Sequence, residues 1–341
     1  MEIGSRILLA IALSFGLLTP RPQDQKTVVV NDPALDAIAS VDAKLEKLAE
    51  GTGFFEGPNW VKTGRSGYLI FTNIPGDVIN KWTPDGKVSV IVDHIFTGTD
   101  SSGAPQYELG TKKLPMIGAD GSTLDHQGRI VYCAFGDRAV VRVEKNGKRT
   151  VLADRFEGRR FNTPNDLIYK SDGTLYFTDS QADTTRAEND PNKGVSHSGV
   201  YFIKNGKPQL LSKDFDGPNG LAFSPGEKYL YANDSRKKTI TRFEIQPDGT
   251  VTTGTLFIDM SADKTVGMPD GMKVDKNGNV YCTGPGGVWI MSPDGKHLGT
   301  ILTPQRISNL AFGDADGKTL YMTSPQGLYR IRLNAEGLRR P

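Results

Sequence analysis

Residues 165–178, NDLIYKSDGTLYFT, and residues 219–233, NGLAFSPGEKYLYAN, share one design. A polar head residue opens a short alternating strand, a Gly-containing polar turn reverses the chain, and a second strand rich in Tyr and Phe follows. The design recurs at Glu56 (EGPNWVKTGRSGYLIFT), Asp120 (DGSTLDHQGRIVYCA), Asp270 (DGMKVDKNGNVYCT) and Asn309 (NLAFGDADGKTLYMT). Successive heads lie about 40 to 65 residues apart, room for a four-stranded sheet per repeat with the variation taken up in loops. Six such units predict an all-β, six-bladed β-propeller. Radial packing carries equivalent positions to one axis, so Glu56, Asp120, Asn165, Asn219, Asp270 and Asn309 are expected to line a central tunnel.

A single blade cannot bury its two faces without neighbours, so residues 34–341 read as one propeller domain. The 39 Gly and 20 Pro suit an all-β chain with many tight turns. With 41 basic and 39 acidic residues the net charge is +2, and no basic stripe interleaved with aromatics marks a nucleic-acid partner. The cationic start MEIGSR and the apolar run ILLAIALSFGLL predict a signal peptide over residues 1–20, a periplasmic or secreted protein, and no membrane span in its mature form. Residues 21–33 read as a linker. The sixth repeat runs out of chain for a fourth strand, so a segment near Ala43–Ala49 is expected to enter the last blade and close the ring, with a short amphipathic helix as the alternative. Cys133 and Cys282 share a register in the second and fifth repeats and read as small buried strand residues, too far apart for a disulfide.

Three heads are carboxylates (Glu56, Asp120, Asp270) and three are amides (Asn165, Asn219, Asn309). Carboxylates converging without counter-ions repel one another and lose hydration, which a bound cation relieves. An all-oxygen donor set suits a hard cation: Ca²⁺ first, with Mg²⁺, Mn²⁺ or Zn²⁺ as alternatives. The plainer reading, local turn hydrogen bonds at strand starts, suits any single head, and recurrence at one register favours the cation.

The strings EGPNW, TPNDLIYKSDG, GPNGLAFSPGEKYLY, MPDGMKVDKNGNVYCTGPGG and SNLAFG resemble those of the senescence-marker-protein/gluconolactonase/luciferin-regenerating-enzyme-like family, from about Ala43 to Leu333. The resemblance implies a six-bladed propeller with a divalent metal in its tunnel, hydrolysing a sugar lactone or related cyclic ester. It carries metal ligation onto Glu56, Asn165, Asn219 and Asp270, the acid/base role onto Asp270, and substrate contacts onto Asn165 and Asp183. Asp120 and Asn309 share the head register without a ligand role in the family and are expected at the substrate. This chain departs from the pattern at Asp120, at Ala134-Phe135-Gly136 where bacterial relatives commonly carry a His, and at Thr163, changes that fall on the substrate shell.

Such a site would polarise a lactone carbonyl while Asp270 activates the attacking water and returns a proton to the ring oxygen. The same ion could serve organophosphate triester hydrolysis, or could simply hold the blades of a non-catalytic binding propeller. Asp166 reads as a partner of the ligands, and His197 as a loop histidine or a lid group. No phosphate-binding glycine loop and no nucleophile elbow is present.

Overall fold

The computed structural model describes residues 26–101, 104–180 and 193–338. Among them the only helical elements are two short 3-10 turns, Pro33–Ala37 and Pro225–Glu227. Six antiparallel sheets follow one another along the chain, and each repeat supplies its two inner strands. The innermost strands are Phe55–Thr63, Ala119–Leu124, Thr163–Tyr169, Pro218–Phe223, Met272–Val274 and Asn309–Gly313, here blades one to six. Each packs against the innermost strand of the next blade, and the sixth packs against the first, so the six surround one axis.

The hairpins form where the turn chemistry demands. In DHQGR, Asp125 Oδ1 accepts the backbone N–H of Gln127 and Arg129, both at 2.9 Å, while Gly128 takes the left-handed φ of +73° that lets the chain reverse. DKNGN repeats this with Asp275 and Gly278. The second strands bury their aromatic register: Tyr132, Tyr176, Tyr231, Tyr281 and Tyr321 are at most 1% exposed. One apolar cluster fills each of the six blade interfaces. At about 1.5–3 kcal/mol for a fully buried large side chain, these interfaces hold the ring together. Cys133 and Cys282 are free, fully buried members of two of these clusters.

The expectation of a ring closed by an N-terminal strand needs correction. None of the sheets closes on itself. Leu45–Glu50 is a strand, not a helix, and pairs antiparallel with Gly327–Arg332 as the outer edge of an open four-stranded sheet. No backbone ladder joins that sheet to blade one; the seam is made by side-chain packing of Asn309–Gly313 on Phe55–Thr63 and by Ser308 Oγ donating to Phe55 O. Within the stretch read as a linker, Val28–Val30 pairs with His297–Leu302 and gives blade five a fifth strand. Leu35, Ile38 and Ala39 then bury themselves between blades five and six. The polar composition of residues 21–33 hides this, because three valines are too few to show a period. Residues 1–20 lie outside the described residues. No helix among the described residues is long and apolar enough to cross a membrane.

Candidate active site

The structure brings all six heads to the tunnel and shows why Gly so often follows them. In blades one to four a β-bulge falls at the head, between Glu56 and Asn59, opposite Tyr132 and Ala134, between Pro164 and Leu167, and between Pro218 and Leu221. A bulge inserts a residue into the strand and re-aims the side chain, here toward the axis. The next residue then lies against the neighbouring blade. A Cβ on Gly220 would sit 2.1 Å from Asp270 O, and one on Gly271 would sit 2.1 Å from Asn309 Oδ1. Where Gly gives way to Asp166, in blade three, a further carboxylate enters the tunnel, 4% exposed.

Second strands pin the heads of the next blade. Thr72 Oγ1 donates to Asp120 O (2.8 Å), Thr178 Oγ1 to Asn219 O (2.9 Å), and Asn233 Nδ2 to Asp270 O (2.6 Å). Ala134 holds this register in blade two and makes no such bond.

The heads place carboxylates beside amides of adjacent blades, and two of these neighbours are hydrogen-bonded pairs. Asn309 Nδ2 donates to Glu56 Oε2 at 2.8 Å and Asn165 Nδ2 donates to Asp120 Oδ2 at 2.9 Å, while Asn219 lies close enough to Asp270 to favour its ionised form. The amides are not equivalent. Asn309 is 2% exposed and its Oδ1 accepts from Leu310 N (2.8 Å) and from Lys273 Nζ (3.4 Å), so both ends are engaged within the protein. Asn165 and Asn219 are partly exposed, and with the Asn165 N–H group on a carboxylate its oxygen is the group left for a ligand.

Two cations that the repeat pattern did not reveal face this ring. Arg306 Nη2 donates to Asp270 Oδ2 at 2.5 Å, with its guanidinium 5.7 Å from the centre of the Phe54 ring. Lys273 lies close enough to favour the ionised form of Asp166. Arg306 belongs to the loop before the sixth head, a position with no counterpart in the other repeats; a cation three residues ahead of a head was its only trace in the sequence.

The electrostatics follow from this placement. Burial lifts the Asp270 carboxyl to about 6, against the opposing pull of the Arg306 guanidinium. Burial, reinforced by Asp270 and Asp166, pushes Glu56 well above the carboxylate range. Asp120 rises for the same reason, with Glu56 its strongest neighbour. Asp270 and Asp166 each have a cation at hand, whereas the side chains of Glu56 and Asp120 are met by amides. Four buried carboxylates against Arg306 and Lys273 leave a deficit of about two positive charges if all are ionised.

No set of three or more His, Cys, Asp or Glu side chains among the described residues is arranged to hold a metal ion. A cation here would therefore draw on Glu56 and Asp270 together with the amide oxygens of Asn165 and Asn219, a donor set that fits a hard ion and the charge deficit alike.

Other sequence candidates fall elsewhere. Asp179 is fully buried and accepts Asn162 N on both oxygens at 2.9 Å; Asp234, at the same register, accepts Asp216 N and Gly217 N. Both clamp the chain entering an inner strand. His197 hydrogen-bonds Tyr201 Oη at 2.9 Å and stacks on that ring, a packed position away from the heads. Asp183 lies outside the described residues. The insertion after His94 contains a hairpin, Gln106–Leu109 with Lys112–Pro115, whose Tyr107, Leu109 and Leu114 rest on Phe54, Ile74 and Phe135. Phe135, one of the departures from the family pattern, thus has an apolar partner in this hairpin.

A family model described as SMP-30/Gluconolactonase/LRE-like region matches residues 54–326. A gluconolactonase from Zymomonas mobilis is 33% identical over 315 residues, covering 89% of this chain and 85% of that protein. A solved gluconolactonase structure from Xanthomonas campestris superposes with a TM-score of 0.74 at 29% identity, covering 92% of this chain and 97% of the other. A calcium-binding regucalcin from Agrobacterium tumefaciens shares the fold at 18% identity, with a TM-score of 0.66 over 88% of this chain and 97% of that one. The chain belongs to the SMP-30/gluconolactonase/LRE-like family.

Proposed function

We propose that the protein is a lactonase of the gluconolactonase type, a carboxylic-ester hydrolase that opens a sugar lactone or related cyclic ester at the head ring with the help of a divalent cation. The observation that carries this reading is the pairing of two acids that lack a cation of their own, Glu56 and Asp120, with a third, Asp270, held ready by Arg306. The gluconolactonase relatives supply the reaction class. Glu56, Asn165, Asn219 and Asp270 would hold the cation, with Ca²⁺ the best match to oxygen donors and Mg²⁺, Mn²⁺ or Zn²⁺ as alternatives. When bound, such an ion supplies polarisation of the lactone carbonyl.

The rest of the chemistry falls to the chain. Asp270 accepts a proton from a water whose oxygen bonds to the carbonyl carbon. The ring C–O bond then breaks, its electron pair stays on the departing oxygen, and Asp270 returns the proton there. The product is a hydroxy acid, which ionises in solvent. Asn233 and Gly220 hold the Asp270 carbonyl, so the carboxylate stays aimed during the transfer. Asp120 and the partly exposed Asn165 lie at the ring where substrate hydroxyls would bind, while Asn309, engaged at both ends, orients Glu56.

The test is a pH-stat assay on gluconolactone and other aldonolactones. Full activity in Asp270→Asn sinks the acid/base assignment, and failure to hydrolyse any lactone sinks the reaction class. Export directed by residues 1–20 is part of the same proposal, and N-terminal sequencing of the mature protein tests it.

A further inference from the structure

Asp270 is claimed twice. It is a proposed cation ligand, and its Oδ2 already accepts from Arg306 Nη2 at 2.5 Å, an ion pair whose side chains are 14% and 5% exposed. The carboxylate is poorly placed to serve one partner by turning from the other. Its own backbone carbonyl is fixed by Asn233 Nδ2 at 2.6 Å and by Gly220 N at 3.1 Å, and its neighbour Gly271 is fixed by Ser308 O at 2.7 Å. Arg306 reaches the ring from the loop between His297–Leu302 and Asn309–Gly313, which is held on either side of it by Ser324 Oγ donating to Gln305 Oε1 at 2.9 Å and by Ser308, through Phe55 O and Thr323 O. Above it lies the Phe54 ring, packed edge-to-face on Tyr107 of the hairpin at 5.1 Å, so the guanidinium is confined between the ring of heads and an aromatic roof. A divalent cation on Asp270 and a guanidinium on the same carboxylate repel each other at short range in a site that water screens weakly.

We propose that Arg306 and the divalent cation compete for the Asp270 carboxylate, so that Arg306 sets how tightly the head ring holds its metal. This rests on the metal-site reading of Proposed function. Arg306 acts as a resident counter-ion: it occupies the Asp270 carboxylate and lowers the affinity of the ring for an incoming cation. A chain with a neutral residue at this position is a tighter binder.

The test is calorimetric titration of the full-length chain with Ca²⁺ and with Mn²⁺, comparing wild type with Arg306→Met, Arg306→Gln and Arg306→Lys. Circular dichroism and a thermal melt check the fold of each variant. Competition predicts that Met and Gln lower the dissociation constant about tenfold or more, and that Lys, which keeps the charge, stays within about threefold of wild type. The rise in melting temperature on adding Ca²⁺ grows in the Met and Gln variants. If wild type binds and the neutral variants bind equally or more weakly, Arg306 is a supporting donor and the competition is refuted while the metal site stands. If neither wild type nor the neutral variants take up metal, it is the metal-site reading that fails. Should Arg306→Met not fold, Arg306→Gln, which retains a hydrogen-bond donor, gives the same decision.

Discussion

Replacing Gly220 by Ala tests why glycine follows the heads. Gly220 has no left-handed φ, so an Ala can adopt its backbone conformation, and only space opposes the change. The new Cβ would lie 2.1 Å from Asp270 O, 2.8 Å from Asn233 Nδ2 and 3.1 Å from Met272 N. Two of these atoms are backbone, and reaching an ordinary contact of about 3.5 Å requires blades four and five to separate locally by more than an ångström. Overpacking of this kind costs about 1–3 kcal/mol. The separation also strains the bonds from Gly220 N and Asn233 Nδ2 to Asp270 O, each worth about 1 kcal/mol. The expected loss is about 3–5 kcal/mol, read from urea unfolding, with a large fall in lactone turnover because Asp270 is displaced. Gly64→Ala is the control: nothing lies within 4 Å and its φ is +59°, so only the left-handed conformation costs, about 1–2 kcal/mol, with turnover unchanged. A Gly220→Ala protein within about 1 kcal/mol of wild type and fully active would refute the close approach of the blades at the heads.

Three further outcomes are expected. Burial lifts the Asp179 carboxyl to about 7. A carboxyl raised in the folded state contributes stability below its unfolded value near 4 and loses that contribution as pH rises through 7, so Asp179→Asn, which keeps an acceptor for Asn162 N, should flatten the fall in stability between pH 4 and 7. Leu35, fully buried between blades five and six, should cost about 2–5 kcal/mol on replacement by Ala, seen as a lower urea midpoint; a null effect would mean that the N-terminal segment is not docked. Both cysteines are fully buried and burial pushes their thiols up, Cys282 to about 12, so a thiol reagent should label neither in the native protein and both in denaturant.

The ring was legible because repetition multiplies weak signals. Each head, turn and aromatic strand is ambiguous alone, but six copies in order leave little choice of architecture. The head register located Glu56, Asp120, Asn165, Asn219, Asp270 and Asn309 in one tunnel for the same reason. What symmetry could not reveal is whatever breaks it. Arg306 lies in a loop without an equivalent, and Lys273 reads as an ordinary polar strand residue until Asp166 is placed beside it. The difference between Asn309 and the other two amides depends on the bulges, which let the heads of blades one to four lean out of the ladder, while Asn309 stays in register opposite Thr323. The seam also escaped the pattern: a strand deficit in the last repeat pointed to an incoming strand, but whether the sheets close or remain open depends on edge geometry that composition does not carry. Val28–Val30 was hidden by its brevity.

The head ring is proposed to hydrolyse a lactone with a divalent cation in place. Metal content and gluconolactone hydrolysis measured on one sample, before chelation, after chelation and after adding Ca²⁺ or Mn²⁺ back, test it directly. One bound divalent ion per chain is expected, with loss of the enzymatic rate when the ion is removed and recovery when it is restored. Full hydrolysis by the metal-free protein would contradict it.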